Sequence, residues 1–569
     1  MINVFSSGNK RKYRLNSLFF KGIVELTKGY WFGKNAFKPW GMLLLCILIT
    51  VFTSYMGGYI SRLMADQTNA LVGKHSIYWR LLIWLSFITI FINILFRTTD
   101  FFSSWLVQDW RKNLTKEIVG DYLTNRSFYK IEMYQEIDNP DQRIQQDINT
   151  FCKAIVDLPT RVFGVIMTFS IQLGIINEVS PELSNAIIIA LVFIFIVNVL
   201  INNPLIKINW NILKSSADYR TGLVQLRDDA EVISFYRGEN TEKNRLFSLL
   251  QIVVRWTKIL IFYNMFITVV RMILDTSYTV LPLFFIVPLY FSGKIQYGTI
   301  DQISGSAFFA WIMANQLIFL IPNIINMVPS VNRVCEIKNA DRILPGKAGN
   351  VRGVIRHFSD KAELLDVNIY LPDTTTCLIR NISITINENT IITGPTGVGK
   401  STLLRMLAGI WPYATGNVNL PADHDIMFLP QKTYMTTAGL RAQFIYPLQD
   451  NDNFDEQILH ILHQLGKEDI IHKHGGFDAQ SDWKKELSLG EQQIVSFVRV
   501  LLRKPAYVFL DEATSALDSE TEARVYHLLA VHRILVISVA HREELARYHR
   551  MNLVLSAEGQ WQYTPVVNT

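Results

Sequence analysis

The sequence is poor in cysteine, with four in 569 residues: Cys46, Cys152, Cys335 and Cys377. They lie far apart, with no Cys-x-x-Cys and no nearby histidine pair. This leaves no zinc or dithiol motif and predicts buried thiols. Charge is also scarce, at 18% of residues, and it is thinnest within long apolar runs of the first 330 residues. No short apolar core with a small-residue cleavage site follows the basic N-terminus, so residues 1–38 read as a retained cytoplasmic arm rather than a leader. The formal charge of +6 calls for no nucleic-acid partner, because membrane proteins collect Lys and Arg on their cytoplasmic loops.

What the sequence has is apolar length. Nearly half its residues are hydrophobic and its mean hydropathy is positive, as in a membrane protein carrying a soluble part. The chain is too long for one ordinary core. A span needs about 20 predominantly apolar residues, which gives six candidates in a lipid bilayer: 40–62, 79–98, 160–178, 184–206, 262–291 and 303–328. Charged helical arms at 99–157 and 207–258 join them. Lys and Arg are concentrated in the N-terminal arm and the two long connections, which places both termini in the cytoplasm. Arg271 and Asp275, four residues apart, share a helix face and read either as lining a polar pathway or as a structural ion pair. Pro204, Pro282 and Pro288 mark kinks or ends.

From about 345 the pattern changes to short β-rich runs alternating with amphipathic helices. NTIITGPTGVGKSTLLRMLAGI is a strand, a Gly-rich turn and a helix, the context in which G-x-x-x-x-G-K-[ST] is a phosphate loop. Gly394, Pro395, Thr396, Gly397, Val398, Gly399, Lys400, Ser401 and Thr402 form it. Backbone N–H groups and a helix N-terminus would wrap the phosphates, Lys400 would neutralise them, and the Ser401 hydroxyl would ligate Mg²⁺. AYVFLDE ends an apolar strand in Asp511, placed for the metal, and Glu512, placed as general base. LVISVAH ends another strand at His541, placed to sense the γ-phosphate.

Phosphate loop, strand-Gln (MFLPQ, Gln431), LSLGEQQ, strand-Asp-Glu, SALD and strand-His, in this order, resemble the nucleotide-binding domain of ABC transporters over about 350–565. The resemblance implies that Gln431 joins the metal and reports nucleotide state. It implies that Ser488 and Gly490 belong to the signature loop, and that Ser515 to Asp518 cross to the partner. In that family the signature serine caps ATP held by the opposite domain. One phosphate loop and one signature therefore imply a homodimer with two composite sites. Leu489 and Glu491 depart from the commonest Leu-Ser-Gly-Gly-Gln. Tyr370, in VNIYLPD, stands near the place of the adenine-stacking aromatic.

DNPDQRIQQD (138–147), RDDAEVISFYRGE (227–239), PLYFSGKIQYG (288–298) and VNRVCEI (331–337) resemble the membrane domain of SbmA/BacA-like bacterial peptide-uptake proteins and peroxisomal acyl-CoA transporters. With the ATPase attached, the chain looks most like bacterial half-transporters. The expected architecture is multidomain: an all-α six-helix transmembrane domain of ABC exporter type at 39–338, a linker at 339–349 and a C-terminal α/β P-loop ATPase at 350–569. Residues 227 onward read as a charged amphipathic helix bearing Asp229, Glu231, Arg237 and Glu239 toward an ATPase domain. The expected activity is ATP-driven transport of a small-molecule or peptide solute across a bacterial inner membrane, with peptides, hydrophilic vitamin-like solutes and acyl-CoA or fatty acids as solute classes. The competing readings are a proton-coupled peptide permease with a regulatory ATPase domain, and a nucleotide-gated membrane receptor or scaffold.

Overall fold

The computed structural model describes residues 17–134, 137, 139–340, 353–372, 376–448, 454–540 and 542–566, without the side chains at 17–18, 125, 206, 317–326 and 543. Contacts divide the chain into two compact units. One takes 1–124 and 137–339, the other 125–136 and 340–569. The expected linker at 339–349 falls outside the described residues except for Asn339 and Ala340.

The first unit is helical: α1 (Ser17–Trp31), α2 (Phe37–Val72) and α3 (Ile77–Leu123). A short helix, α4 (Ser127–Tyr134), belongs to the second unit. The first unit then resumes with α5 (Pro140–Val179), α6 (Pro181–Asp228), α7 (Ala230–Phe235), α8 (Glu239–Phe291) and α9 (Tyr297–Lys338). Breaks come where the sequence supplies them. Pro181 opens α6 behind Ser180, whose hydroxyl accepts from Leu183 N at 3.2 Å, as an N-cap does. Among the described residues five helical stretches, α2, α3, α5, α6 and α8, are long and apolar enough to cross a membrane. The sixth expected stretch, 303–328, lies in α9. Leu48, Ile83, Phe87 and Phe284 are exposed, which suits helices bathed in hydrocarbon.

Several expectations are corrected. Arg271 and Asp275 do not meet as an ion pair. Arg271 donates to Asn198 at 2.9 Å and Asn202 at 3.2 Å on α6, and Asp275 accepts from Trp311 on α9 at 3.2 Å. Partners on neighbouring helices outcompete the i+4 neighbour. Residues 227–239 are not one amphipathic helix but the end of α6 at Asp228, the short α7 and the start of α8 at Glu239, with Arg237 between them left-handed at φ 50°. Of the four thiols, Cys46 and Cys152 are buried, but Cys335 and Cys377 are only partly so.

The stretch DNPDQRIQQD is a joint. Asn139 is left-handed at φ 43°, Pro140 starts the helix, and Arg143–Asp147 form a π-helical turn. That turn aims two charges at α9. Arg143, 4% exposed, donates to Glu336 at 2.8 Å, and Asp147 accepts from Arg333 at 2.8 Å and Ser330 at 3.0 Å. Removing one member of a buried pair leaves the other desolvated and uncompensated. Arg143→Ala is therefore expected to destabilise the first unit by about 3 kcal/mol, seen as a lower thermal midpoint in detergent. An unchanged midpoint would refute the joint.

The second unit contains two sheets. A four-stranded sheet runs β1 (Ile355–Phe358), β5 (Ala414–Leu420), β2 (Ala362–Tyr370), β3 (Cys377–Ile386). A six-stranded sheet runs β10 (Trp561–Pro565), β9 (Met551–Leu555), β4 (Thr390–Thr393), β8 (Leu535–Val539), β7 (Tyr507–Asp511), β6 (Ile426–Leu429), all parallel except β10. Parallel strands covered on both faces read as unbroken apolar runs, and β7 shows why. Val508 and Leu510 enter one core with α11 (Leu489–Arg503) and α12 (Ser519–Val531), while Tyr507 and Phe509 enter the other with α10 (Lys400–Leu407) and β2.

Candidate nucleotide site

The strand β4 runs directly into the loop Gly394–Gly399 and then α10, whose N-cap is Gly399. Gly394, at φ 141°, cannot carry a side chain, because a Cβ there would overlap the carbonyl of Leu555. Gly399, at φ 103°, lies against Leu378 of β3. Lys400 is buried and donates to the carbonyls of Gly394 at 2.6 Å and Pro395 at 2.9 Å, which draws its ammonium across the loop. Burial lowers its pKa, against the opposing pull of Glu512 and Asp511. Thr396, Gly397, Val398 and Thr402 complete the turn and the first helical residues.

Next to this loop Ser401 donates to Asp511 at 2.9 Å. Burial raises the Asp511 pKa, and the Ser401 bond opposes it. One residue on, Glu512 holds a left-handed backbone at φ 52°, an uncommon conformation of the kind that gathers at functional positions. Its carboxylate accepts from Gln431 at 2.8 Å. Asp511, Glu512, Gln431, Lys400 and Ser401 thus form one connected group. The hydroxyl, carboxylate and amide oxygens of Ser401, Asp511 and Gln431 are hard donors of the type Mg²⁺ selects, so the residues fit that ion. His541 lies outside the described residues, two positions after β8 ends. Tyr370 ends β2 and pairs with Cys377, and its backbone carbonyl accepts from the Trp411 indole at 3.0 Å. That puts it one strand position from Leu378, the neighbour of Gly399.

The signature segment forms a separate group. Ser488 is the N-cap of α11 in a reciprocal capping box: its hydroxyl accepts from Glu491 N at 3.3 Å, and Glu491 accepts from Ser488 N at 2.8 Å. The departure at Glu491 therefore has a structural use. Lys473 adds an ion pair at 2.7 Å. Burial pushes the Glu491 carboxyl up, but hydrogen bonds from Lys473 and Ser488 outweigh it and bring it down to about 2. Gly490 approaches the carbonyl of Ala516, which a Cβ would meet at 3.0 Å, and Leu489 is exposed.

Sequence reasoning missed the residues that tie these groups together. Gln493 donates to Ser515 at 3.2 Å and accepts from Ala516 N at 3.0 Å, linking α11 to the Ser515–Asp518 loop. Arg542, adjacent to His541, donates to Ser515 O at 2.9 Å. Arg499, buried and with its pKa lowered to about 10 by desolvation, donates to Gln443 O at 2.6 Å and Tyr434 O at 2.9 Å, fixing the segment after Gln431. Arg126, just before α4, donates to Ala408 O at 2.5 Å at the C-terminus of α10. Only the position of Arg542 beside a motif was a signal; the others become visible when the chain is folded.

A domain that pairs a phosphate loop with a capped signature helix, joined in sequence to apolar spans, defines an ABC transporter. Residues 26–291 match the family described as ABC transporter transmembrane region 2, and 379–515 match the family described as ABC transporter. The chain is similar to an uncharacterized ABC transporter ATP-binding protein of Synechocystis, 34% identical over 93% of this chain and 81% of that protein. It is also similar to the lysosomal cobalamin transporter ABCD4 of Homo sapiens, 29% identical over 96% of each, and to the chloroplastic ABC transporter D family member 2 of Arabidopsis thaliana, 26% identical over 94% of this chain and 86% of that protein. The chain belongs to the ABC transporters, as a half-transporter with its membrane region fused to its ATPase domain. It binds ATP, and hydrolysis is coupled to transport.

The capping box gives a test. A carboxyl whose folded pKa is depressed stabilises the fold above its ordinary value, 4.5 for Glu491, and loses that contribution as pH falls toward 2. Glu491→Ala is expected to cost about 1–2 kcal/mol near neutral pH, and its thermal midpoint to converge on the wild type as acid is added. A gap that stays constant with pH would rule out the ionised cap.

Proposed function

We propose that two copies of this chain form one transporter, with each ATP held between the phosphate loop of one copy and the signature turn of the other. The observation that carries this is that Ser488 is bonded within its own turn, to Glu491. Among the described residues no hydrogen bond joins it to the loop 394–401 of the same chain. Ser488 and Gly490 then cap the γ-phosphate bound by the partner's loop, Lys400 faces the β- and γ-phosphates, and Tyr370 stacks on adenine. Ser401, Asp511 and Gln431 would hold Mg²⁺, which when bound offsets phosphate charge. Glu512 accepts a proton from the water that attacks the γ-phosphorus as the bond to the leaving diphosphate oxygen breaks. His541 senses the γ-phosphate.

The membrane part is SbmA/BacA-like: six spans over 39–338, both termini in the cytoplasm of a bacterium, and the inner membrane as its site. The arm 1–38 precedes it, and the linker 339–349 leads to the ATPase at 350–569. The solute classes are peptides, hydrophilic vitamin-like molecules, of which the cobalamin carried by the lysosomal relative is an example, and acyl-CoA or fatty acids.

Glu512→Gln is expected to keep ATP binding, lower hydrolysis by about 10²-fold or more and accumulate a closed dimer. Hydrolysis at the wild-type rate would remove Glu512 from the role of base. The shared site has its own test. Copies carrying Lys400→Ala and copies carrying Ser488→Arg are each inactive as homodimers, yet a mixed dimer holds one intact site and regains hydrolysis. No rescue would mean that each chain completes its own site.

A further inference from the structure

At the signature turn two acceptors would compete for one proton. Ser488 has a single hydroxyl hydrogen, and it donates it to Glu491 Oε2 at 2.8 Å. The oxygens of an ionised γ-phosphate are acceptors only, so a nucleotide capped by this hydroxyl must take the same hydrogen from Glu491. The grip of Glu491 depends on what holds its other oxygen. Lys473, at the end of the short helix Asp469–Lys473, donates to Glu491 Oε1 at 2.7 Å. The Nε2 of His474 stands 3.5 Å from the same oxygen; the side chain is 3% exposed, and its Nδ1 lies 3.5 Å from Glu486. Asp469 and Glu486 also attract Lys473, but its hydrogen bond goes to Glu491.

A cation on Oε1 draws charge away from Oε2 and makes it a weaker acceptor. It also offsets a negative charge that would otherwise repel a triphosphate. We propose that Lys473 is a positioning residue for the ATP site, one that loosens the hold of Glu491 on the Ser488 hydroxyl and so sets how readily the turn accepts a γ-phosphate. The inference rests on the reading that Ser488 caps nucleotide held by the other copy, and it adds what tunes that cap. Bracing of the fold is a poor account of this lysine. Its side chain is 56% exposed, and exposed ion pairs add little stability. The turn also closes without it, because Ser488 and Glu491 cap each other reciprocally. A glutamine at 491 keeps that reciprocal cap and removes the charge, which separates the two roles.

The experiment is the ATP dependence of hydrolysis by the full-length protein in lipid nanodiscs. Lys473→Met is expected to raise the ATP concentration at half-maximal rate about fivefold or more, while the maximal rate stays within about twofold. Lys473→Arg keeps the wild-type value. Glu491→Gln requires no more ATP than wild type, and in the Lys473→Met/Glu491→Gln double variant the shift disappears. An unshifted Lys473→Met, a shift that survives in the double variant, or a loss confined to the maximal rate overturns the inference. The mixed dimer of Lys400→Ala and Ser488→Arg copies then locates the effect. Its intact site takes the signature turn from the Lys400→Ala copy, so Lys473→Met shifts the ATP dependence when added to that copy and not when added to the other; the reverse pattern overturns the inference. A mixture without rescue removes the shared site and the inference with it, whereas rescue with an unshifted Lys473→Met removes the inference alone.

Discussion

Parallel strands end on one edge of their sheet, and the nucleotide site depends on that constraint. In the six-stranded sheet Ile392 of β4 lies level with Val539 of β8, Val539 with Asp511 of β7, and Leu510 beside it with Leu429 of β6. The four strands therefore release the chain together, and each hands over to a different chemical part: β4 to the glycine loop, β6 to Gln431, β7 to Glu512 and β8 to the His541 position. The hydrogen bonds Ser401–Asp511 and Gln431–Glu512 join parts already brought together by the register. They orient the side chains; the sheet sets their distance.

The signature turn is built on a different principle, a helix end. The first amides of α11 need partners, and Ser488 and Glu491 supply them reciprocally. With its negative end tied back by Lys473, the turn still offers an outward helix N-terminus, a favourable place for a phosphate. The carboxylate at Glu491 is compatible with anion recognition because its charge is spent inside the turn. The same helix braces the rest of the domain. Gln493 fixes the loop at Ser515, and Arg499 fixes the segment after Gln431, so a movement of α11 reaches both.

How much of this was legible depends on the range of the interaction. The phosphate loop, the strand-terminal carboxylates and the signature are local patterns, and each appears where its residues predicted. The apolar runs fall within the long helices, and the stretch 79–98 with the start of its charged helical arm forms one 47-residue helix, α3, because no breaker intervenes before Thr124. Resemblance alone gives the membrane motifs no structural meaning, and three of them prove to be joints. In DNPDQRIQQD and VNRVCEI, Arg143 and Asp147 meet Glu336 and Arg333. In PLYFSGKIQYG, the backbone N–H of Gly298 donates to Asn69 of α2 at 2.7 Å, at an approach that a Cβ would block. The partners of Arg271 and Asp275 were hidden for the same reason, since asparagines about seventy residues away cannot be seen from a four-residue spacing.

Helices of 47, 48 and 53 residues extend about 70–80 Å at 1.5 Å per residue, more than twice the hydrocarbon thickness of about 30 Å. A continuous helix resists bending, so motion along such a helix concentrates where its ladder is interrupted. The interruptions lie at Pro204, Pro282 and Pro288 and, in α5, at Pro159. Pro159 has no N–H to give the carbonyl of Ile155, which leaves the helix free to bend there. Its neighbours Asp157, Thr160 and Arg161 line a cavity of about 950 Å³ among α2, α3, α5 and α9, and the same helix carries near its start the π-helical turn whose charges clasp α9. Between the π-helical turn at Arg143–Asp147 and Pro159 the helix has no proline or glycine to interrupt it, so the charged clasp on α9 and the break at Pro159 are joined by one continuous helical segment.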